Sequence, residues 1–185
     1  MVAQNRRFDV IGHLASLRRY ARSLTRSDTE SEDLVQDALL RAYERRSTFQ
    51  EGRGLGPWLL SILHNAFIDR ERARRAESTR IERAAELQYP HIEPVQDHHV
   101  RLAQVRRAFM MLPDEQRAAL HLVAIEGLTF AEAADALDIP IGTLMSRLGR
   151  ARAALRALEE NVPKRVAADA KPSLKLVGGS DGTSP

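Results

Sequence analysis

The most informative part of the sequence is residues 112–156, which read LPDEQRAALHLVAIEGLTFAEAADALDIPIGTLMSRLGRARAALR. Thr129 followed three residues later by Glu132 predicts a capping box at the start of a short helix. Residues 138–140, Asp-Ile-Pro, end this helix, and a second helix begins near Gly142. Two short helices joined by a tight turn predict a helix-turn-helix.

The second of these helices has two different faces at 100° per residue. Its apolar face is expected to pack inward and contains Leu144, Leu148, Ala151 and Leu155. Its polar face contains Thr143, Ser146, Arg147 and Arg150. Hydroxyls and Arg side chains arranged in this way can enter a major groove and contact base edges and phosphates. The same face would also suit the solvated side of an ordinary helical hairpin, and these residues alone leave both interpretations open.

A further helix is predicted upstream, with Pro113 in its first turn and Gly127 as its C-cap. Its expected core residues are Leu120, Leu122, Val123 and Ile125. Taken together, the opening LP…R, the EGL turn, the EAA helix and the pattern P-x-G-T-x-x-S-R-x-x-R-A-R resemble the C-terminal DNA-binding region of bacterial sigma-70 family factors. The resemblance is closest to the small extracytoplasmic-function (ECF) group.

In that family this region reads the −35 promoter element. Carried over by position, the resemblance implies DNA contacts from Thr143, Met145, Ser146, Arg147 and Arg150. Met145 departs from the pattern, because relatives often have Lys or Arg there. Regulators of the LuxR type carry a similar region, so the rest of the sequence has to distinguish the two families.

Residues 32–44, EDLVQDALLRAYE, predict a second amphipathic helix. Its apolar face contains Val35, Ala38, Leu39 and Ala42, and the opposite face contains Asp33, Asp37, Leu40 and Glu44. One leucine among carboxylates suits a basic, partly apolar protein surface, although a solvated face is equally compatible with these residues. The segment resembles the ECF helix that binds the clamp helices of the largest RNA polymerase subunit. The resemblance assigns core-polymerase binding to Asp33, Gln36, Asp37, Leu40 and Arg41.

The following segment, residues 54–75, joins an apolar stretch to a net basic run that suits phosphates. Phe49 could stack on a base or belong to the core, and Asn65 could break a helix or face a ligand. The pattern F-x-x-G-R-G…W-L-L-x-I-x-x-N-x-x-I-D-R-x-R-x-R-R resembles the ECF segment that melts and reads the −10 element. The resemblance implies roles there for Phe49, Asn65, Arg70, Arg72, Arg74 and Arg75.

The sequence therefore predicts an all-α fold with two small helical domains, a sigma region 2 bundle and a sigma region 4 helix-turn-helix, joined by a flexible linker. The predicted boundaries are residues 8–77 for the first domain, 78–100 for an acidic linker, 101–160 for the second domain and 161–185 for a flexible tail. In the resemblance the linker takes the place of the family's connector, which runs toward the RNA exit channel. Its negative charge would suit that basic channel by mimicry, a hypothesis that rests on Glu82, Glu86, Glu93 and Asp97.

Composition excludes several classes of function. The 185 residues contain no cysteine, so disulfides, thiolate catalysis and thiolate metal sites are excluded. The sequence shows no signal peptide and no run long enough to cross a bilayer, which predicts a cytoplasmic protein without membrane insertion. His98 and His99 are adjacent and poorly spaced for a shared metal, and no metal or other cofactor is expected. A phosphate loop, a nucleophile elbow and a catalytic carboxylate pair are all missing from the sequence, so a non-catalytic protein is expected.

The function implied by the resemblance is that of a specificity subunit, which binds core RNA polymerase and promoter DNA and directs initiation. An anti-sigma factor is a further expected partner, because family members are commonly held inactive by one. Two alternatives are a decoy that mimics a sigma factor and a stand-alone helix-turn-helix regulator. A decoy would be expected to lose Arg147 and Arg150, and a regulator would not need the helix at 33–44.

Overall fold

The computed structural model describes residues 9–25, 27–50, 52, 54–81 and 98–160, and these ranges form helices and turns with no strand. The predicted all-α fold is confirmed. A 3-10 turn at Ile11–His13 precedes the first helix, and another at Arg46–Thr48 follows the second. The helices are α1 (Leu14–Thr25), α2 (Asp28–Glu44), α3 (Leu55–Ile81), α4 (His98–Met111), α5 (Asp114–Ala124), α6 (Phe130–Ala136) and α7 (Ile141–Glu160).

Helices α1 to α3 form the N-terminal lobe. Ser27 caps α2 by accepting the backbone N–H of Glu30 at 3.4 Å, and Asp28 and Glu30 in the first turn favour the positive end of the helix dipole. Apolar residues at helical spacing bring the three helices together, and the buried set includes Leu17, Tyr20, Leu24, Leu34, Val35, Ala38, Ala42, Leu59, Leu60, Ile62, Leu63, Ala66 and Phe67. This packing sets the orientation of the exposed faces of α2 and α3.

Helices α4 to α7 form the C-terminal lobe, which contains the predicted helix-turn-helix. The capping box is confirmed, since Thr129 and Glu132 each bond the other's backbone N–H. Asp138 lies in the turn that follows α6 and has a φ of 52°, a left-handed conformation that Asp tolerates better than most residues. On α7, Leu144, Leu148 and Ala151 are buried as predicted.

Three local predictions for this lobe are corrected. Pro113 is the N-cap of α5 and not part of its first turn, and α5 already ends at Ala124. Gly127 lies beyond it with a φ of 72° and lets the chain reverse before α6. Ile125 was expected in the core, yet it is 50% exposed because it lies where α5 meets this reversal.

The two lobes pack against each other, with α5 against α1 and α6 against α3. Helix α3 extends past the predicted boundary at residue 77, and α4 begins inside the predicted linker. Residues 82–97, with Glu82, Glu86, Glu93 and Asp97, and the predicted tail 161–185 lie outside the described residues. None of the helices in the described part is long and apolar enough to cross a membrane.

Candidate polymerase and nucleic-acid interfaces

One side of α2 is an exposed stripe with mixed acidic and apolar character. Asp33, Gln36 and Leu40 are all exposed, and Leu40 is 60% accessible despite being apolar. Tyr43, one turn further along the same side, is 62% accessible and stacks under the guanidinium of Arg46 at 4.3 Å. Tyr43 was not predicted as part of this stripe, although its spacing of three from Leu40 places it on the same side of the helix.

Asp37 and Arg41 lie at the edge of this stripe in an ion-pair network with α3. Arg41 contacts Asp37 at 3.0 Å and Asp69 at 2.7 Å. Arg70 reaches the other carboxylate oxygen of Asp37 at 3.5 Å and donates to the backbone carbonyl of Asp33 at 2.8 Å. The five residues assigned to polymerase binding therefore divide into three exposed side chains and two that fix the angle between α2 and α3.

Five of the six residues assigned to the −10 element lie on α3, on more than one of its sides, and Phe49 precedes this helix. Asn65 does not break the helix, which continues through it, and its side chain is exposed. At 100° per residue Arg72 shares the Asn65 side, whereas Arg70 and Arg74 lie about 140–180° away from it. Arg74 pairs with Glu71 and with Glu30 of α2, each at 3.0 Å. Arg70 and Arg74 thus face α2.

Phe49 packs against Trp58, with their ring centroids 5.3 Å apart. It is half-buried, so it is neither a free stacking platform nor a full core residue. Trp58 lies seven residues before Asn65 and therefore on the same side of α3. Aromatic, amide and guanidinium groups are thus aligned along one side of the helix in the order Phe49–Trp58, Asn65, Arg72, which is a combination that suits single-stranded nucleic acid.

The polar face of α7 is open at its N-terminal end. Thr143, Ser146 and Arg150 are exposed, and Arg150 donates to the Ser146 hydroxyl at 2.9 Å. Met145 is also exposed, but it lies 100° or more from each of the other four residues and is not on their face. The groove between this face and the start of α5 is lined by Pro113, Glu115, Gln116, Gly142, Thr143, Ser146, Arg147 and Arg150.

Arg147 is less accessible than its neighbours on this face, with a side chain that is 19% exposed. Its guanidinium contacts the carboxylate of Glu115 at 3.0 Å, and Glu115 is on α5 of the same lobe. Its charge also acts on the buried His64 of α3 in the other lobe. Burial, and then this positive charge, lowers the pKa of His64 from 6.5 to about 4.

Acidification is therefore expected to destabilise the folded chain. The unfolded chain binds a proton at His64 near pH 6.5, whereas the folded chain does so only near pH 4, so unfolding becomes more favourable as pH falls through this window. His64 should contribute up to about 3 kcal/mol to this loss. Urea denaturation at pH 7 and pH 4.5 measures the free energy of unfolding, and His64→Gln should reduce the difference between the two values. An unchanged difference in His64→Gln would show that His64 is not its source.

Polar residues at the lobe boundary were missed by the sequence analysis. Arg117, His121 and Glu126 belong to the stretch 112–156 and were given no role there, but all three lie where α5 meets α1. No signal within a single helix marks them, because their partners are more than 90 residues away in sequence. The described residues contain no cluster of three or more His, Asp or Glu side chains that could hold a metal ion.

The fold and these faces define a two-lobed helical protein with a helix-turn-helix in its second lobe. Family models for Sigma-70 region 2 and Sigma-70, region 4 match residues 10–77 and 102–155. The ECF RNA polymerase sigma factor EcfG of Rhodopseudomonas palustris is 38% identical over 154 residues, which are 82% of this chain and 83% of that protein. The ECF sigma factor SigM of Mycobacterium tuberculosis is 36% identical over 146 residues, covering 79% and 72%.

A solved structure agrees with these relatives. The sigma factor RpoE of Bartonella quintana, crystallised with the anti-sigma factor NepR, is 31% identical, with a TM-score of 0.73 over 86% of this chain and 99% of that one. The chain belongs to the sigma-70 family, and within it to the ECF group of RNA polymerase sigma factors. It acts with core RNA polymerase and promoter DNA in promoter-directed transcription initiation.

Proposed function

We propose that the exposed stripe of α2 docks on the clamp helices of the largest polymerase subunit. The observation that carries this proposal is the exposure of Leu40 among acidic and polar neighbours, since an apolar side chain in that position favours burial against a partner. Asp33 and Gln36 would make polar contacts around it. Asp37 and Arg41 act mainly by holding α2 on α3, so their substitution would affect docking through the orientation of the stripe.

We further propose that α3 captures the melted −10 strand on the side that contains Asn65 and Arg72. The Phe49–Trp58 pair offers an aromatic surface at one end, and Arg72 and Arg75 supply positive charge towards the other. A flipped base near Asn65 would need contacts that offset a few kcal/mol of unstacking. Arg70 and Arg74, on the opposite side of α3, hold this helix on α2. On α7, Thr143, Ser146, Arg147 and Arg150 would read the −35 element, with Met145 at the margin.

Control by an anti-sigma factor is also part of the proposal, because the similar RpoE was crystallised with one. The protein would act in the cytoplasm as a non-catalytic subunit, since each proposed face binds and none combines a nucleophile with a base. Run-off transcription with core polymerase tests the whole proposal. A stand-alone regulator or a decoy would bind DNA or an inhibitor without supporting promoter-specific initiation.

Replacing the exposed leucine of α2 is expected to separate docking from folding. Leu40→Asp should weaken core-polymerase binding about tenfold or more, because a charge replaces the apolar contact at the centre of the stripe. Ile11→Asp is the matched control, as Ile11 is also an exposed apolar residue of the same lobe but lies outside α2. Fluorescence anisotropy with core polymerase measures both. Equal losses in the two variants would rule out the α2 stripe as the docking site.

A further inference from the structure

The Glu126 carboxylate is the centre of a polar cluster between the lobes. Its side chain is only 5% exposed. It accepts hydrogen bonds from the Ser16 hydroxyl, from Arg19 at 3.0 and 3.2 Å, and from Nε2 of His121 at 3.1 Å. Ser16 and Arg19 belong to α1 of the N-terminal lobe. Burial acts to raise the pKa of Glu126, but the bonds from Arg19, Ser16 and His121 outweigh it and hold the pKa below its usual value.

Arg117 makes a second set of polar contacts across the same boundary. Its guanidinium is fully buried and donates to the carbonyls of Ser23 and Leu24, at the C-terminal end of α1. A cation at that end is favoured by the helix dipole. Within its own lobe Arg117 donates to the Leu112 carbonyl at 2.7 Å and to Asp114 at 2.5 Å. We call Ser16, Arg19, Arg117, His121 and Glu126 the latch.

The rest of the boundary relies partly on small side chains. Helix α6 contacts α3, and the buried residues of this short helix are the alanines at 133, 134 and 136, followed by Leu137 at its C-cap. Alanines bury little apolar area, so they contribute less to lobe closure than leucines would. The charged groups of the latch can be hydrated when the lobes part. A boundary of this composition resembles the polar, transient interfaces between domains that move relative to each other.

Promoter binding requires the lobes to part. The −35 and −10 elements are separated by about 25 base pairs, as their names state, which at about 3.4 Å per base pair is about 85 Å of duplex. A compact unit of 100–150 residues has a radius of gyration of about 13–15 Å and is therefore about 35–40 Å across. The closed arrangement of the lobes cannot place α3 and α7 on both elements together.

We propose that the latch centred on Glu126 holds the free chain in a closed state and thereby sets the fraction of molecules able to span a promoter. The effect on promoter binding rests on the function proposed above, whereas the closure of the lobes does not. Loss of the Glu126 charge would leave Arg19 without its carboxylate and would weaken the hydrogen bonds from Ser16 and His121. Each lobe keeps its own buried apolar residues and should stay folded. Arg117 alone would then hold α5 on α1, so the closed state becomes less populated.

The absence of cysteine from the sequence makes distance measurement direct. Ser47→Cys and Ala153→Cys place one spin label on an exposed position of each lobe, and double electron–electron resonance then reports their separation in the full chain. The otherwise unchanged chain should give one narrow, short distance. Glu126→Gln should raise the ratio of open to closed molecules about tenfold and add a longer, broader distance. Arg19→Gln should shift this ratio in the same direction.

Glu32→Gln is the matched control. Glu32 also pairs with arginines of α1, at 3.1 Å to Arg18 and 3.9 Å to Arg22, but this contact stays within the N-terminal lobe. It should leave the distance unchanged. Three results would each overturn the proposal. The free chain could already be open, the distance could stay unchanged in both Glu126→Gln and Arg19→Gln, or Glu32→Gln could open the chain equally. Circular dichroism checks that the variants remain folded, and Arg19→Gln changes a side chain that is 52% exposed and therefore leaves no cavity in the core.

Run-off transcription with the same proteins separates this idea from the proposed function. If the unlabelled chain never supports promoter-specific initiation, the proposed function fails even where the distances behave as expected. If initiation occurs but the latch variants do not change the distance, only the latch fails. When both hold, core polymerase with promoter DNA should lengthen the distance, and Glu126→Gln should reach half-maximal transcription at a lower concentration than the unsubstituted chain.

Discussion

Arg117→Met is expected to lower the free energy of unfolding by about 3 kcal/mol. Methionine nearly fills the volume of the side chain, so the loss comes from polar contacts and not from a cavity. The carbonyls of Ser23, Leu24 and Leu112 would lose a charged donor at a site from which water is excluded, and hydrogen bonds to charged groups contribute about 1.5–3 kcal/mol each. Asp114 is 39% exposed, so water would replace part of the hydrogen bonding that it loses with Arg117.

Urea denaturation followed by circular dichroism measures this effect. Arg152→Met is the matched control, because Arg152 is exposed on α7 and should change stability by less than about 0.5 kcal/mol. Losses of similar size in the two variants would mean that the buried guanidinium is not a main source of stability. A separate early transition in Arg117→Met would indicate that the residue couples the unfolding of the two lobes.

The helices whose signals are local were predictable from the sequence. The Thr129–Glu132 capping box is complete within four residues, and the inward face of α7 repeats at helical spacing, so neither depends on distant parts of the chain. The exposure of Leu40 on α2 was equally predictable, since Val35, Ala38 and Ala42 lie on the other side of the helix. These elements define the two lobes and the candidate faces.

Contacts between distant segments were not predictable in the same way. Arg70 looked like a phosphate ligand within its basic run, but the packing of α3 on α2 brings it to Asp37 and the carbonyl of Asp33. Arg117 is one of many arginines in the sequence and is buried only because the end of α1 supplies carbonyl groups to it. Periodicity shows which face of a helix is buried but not what that face packs against, so the contacts at the lobe boundary could be found only from the structure.

Arg147→Ala is expected to weaken holoenzyme binding to a promoter by about 1–3 kcal/mol, or roughly 5- to 150-fold. Arg147 lies on the polar face of α7 with Thr143 and Ser146, and a bidentate contact from its guanidinium to a guanine would account for a loss of this size. On DNA this contact would have to replace the present pairing with Glu115. The loss should therefore depend on the base sequence of the −35 element.

A panel of promoters with single substitutions in the −35 element distinguishes the kinds of contact. If Arg147 reads a base, Arg147→Ala should abolish discrimination at one position and leave the others intact, because only that base loses its partner. Arg152→Ala is the control, since Arg152 is exposed about 180° from Thr143 around α7 and should not affect discrimination. A uniform loss on every promoter, with a salt dependence that falls by about one ion, would instead assign Arg147 to a phosphate.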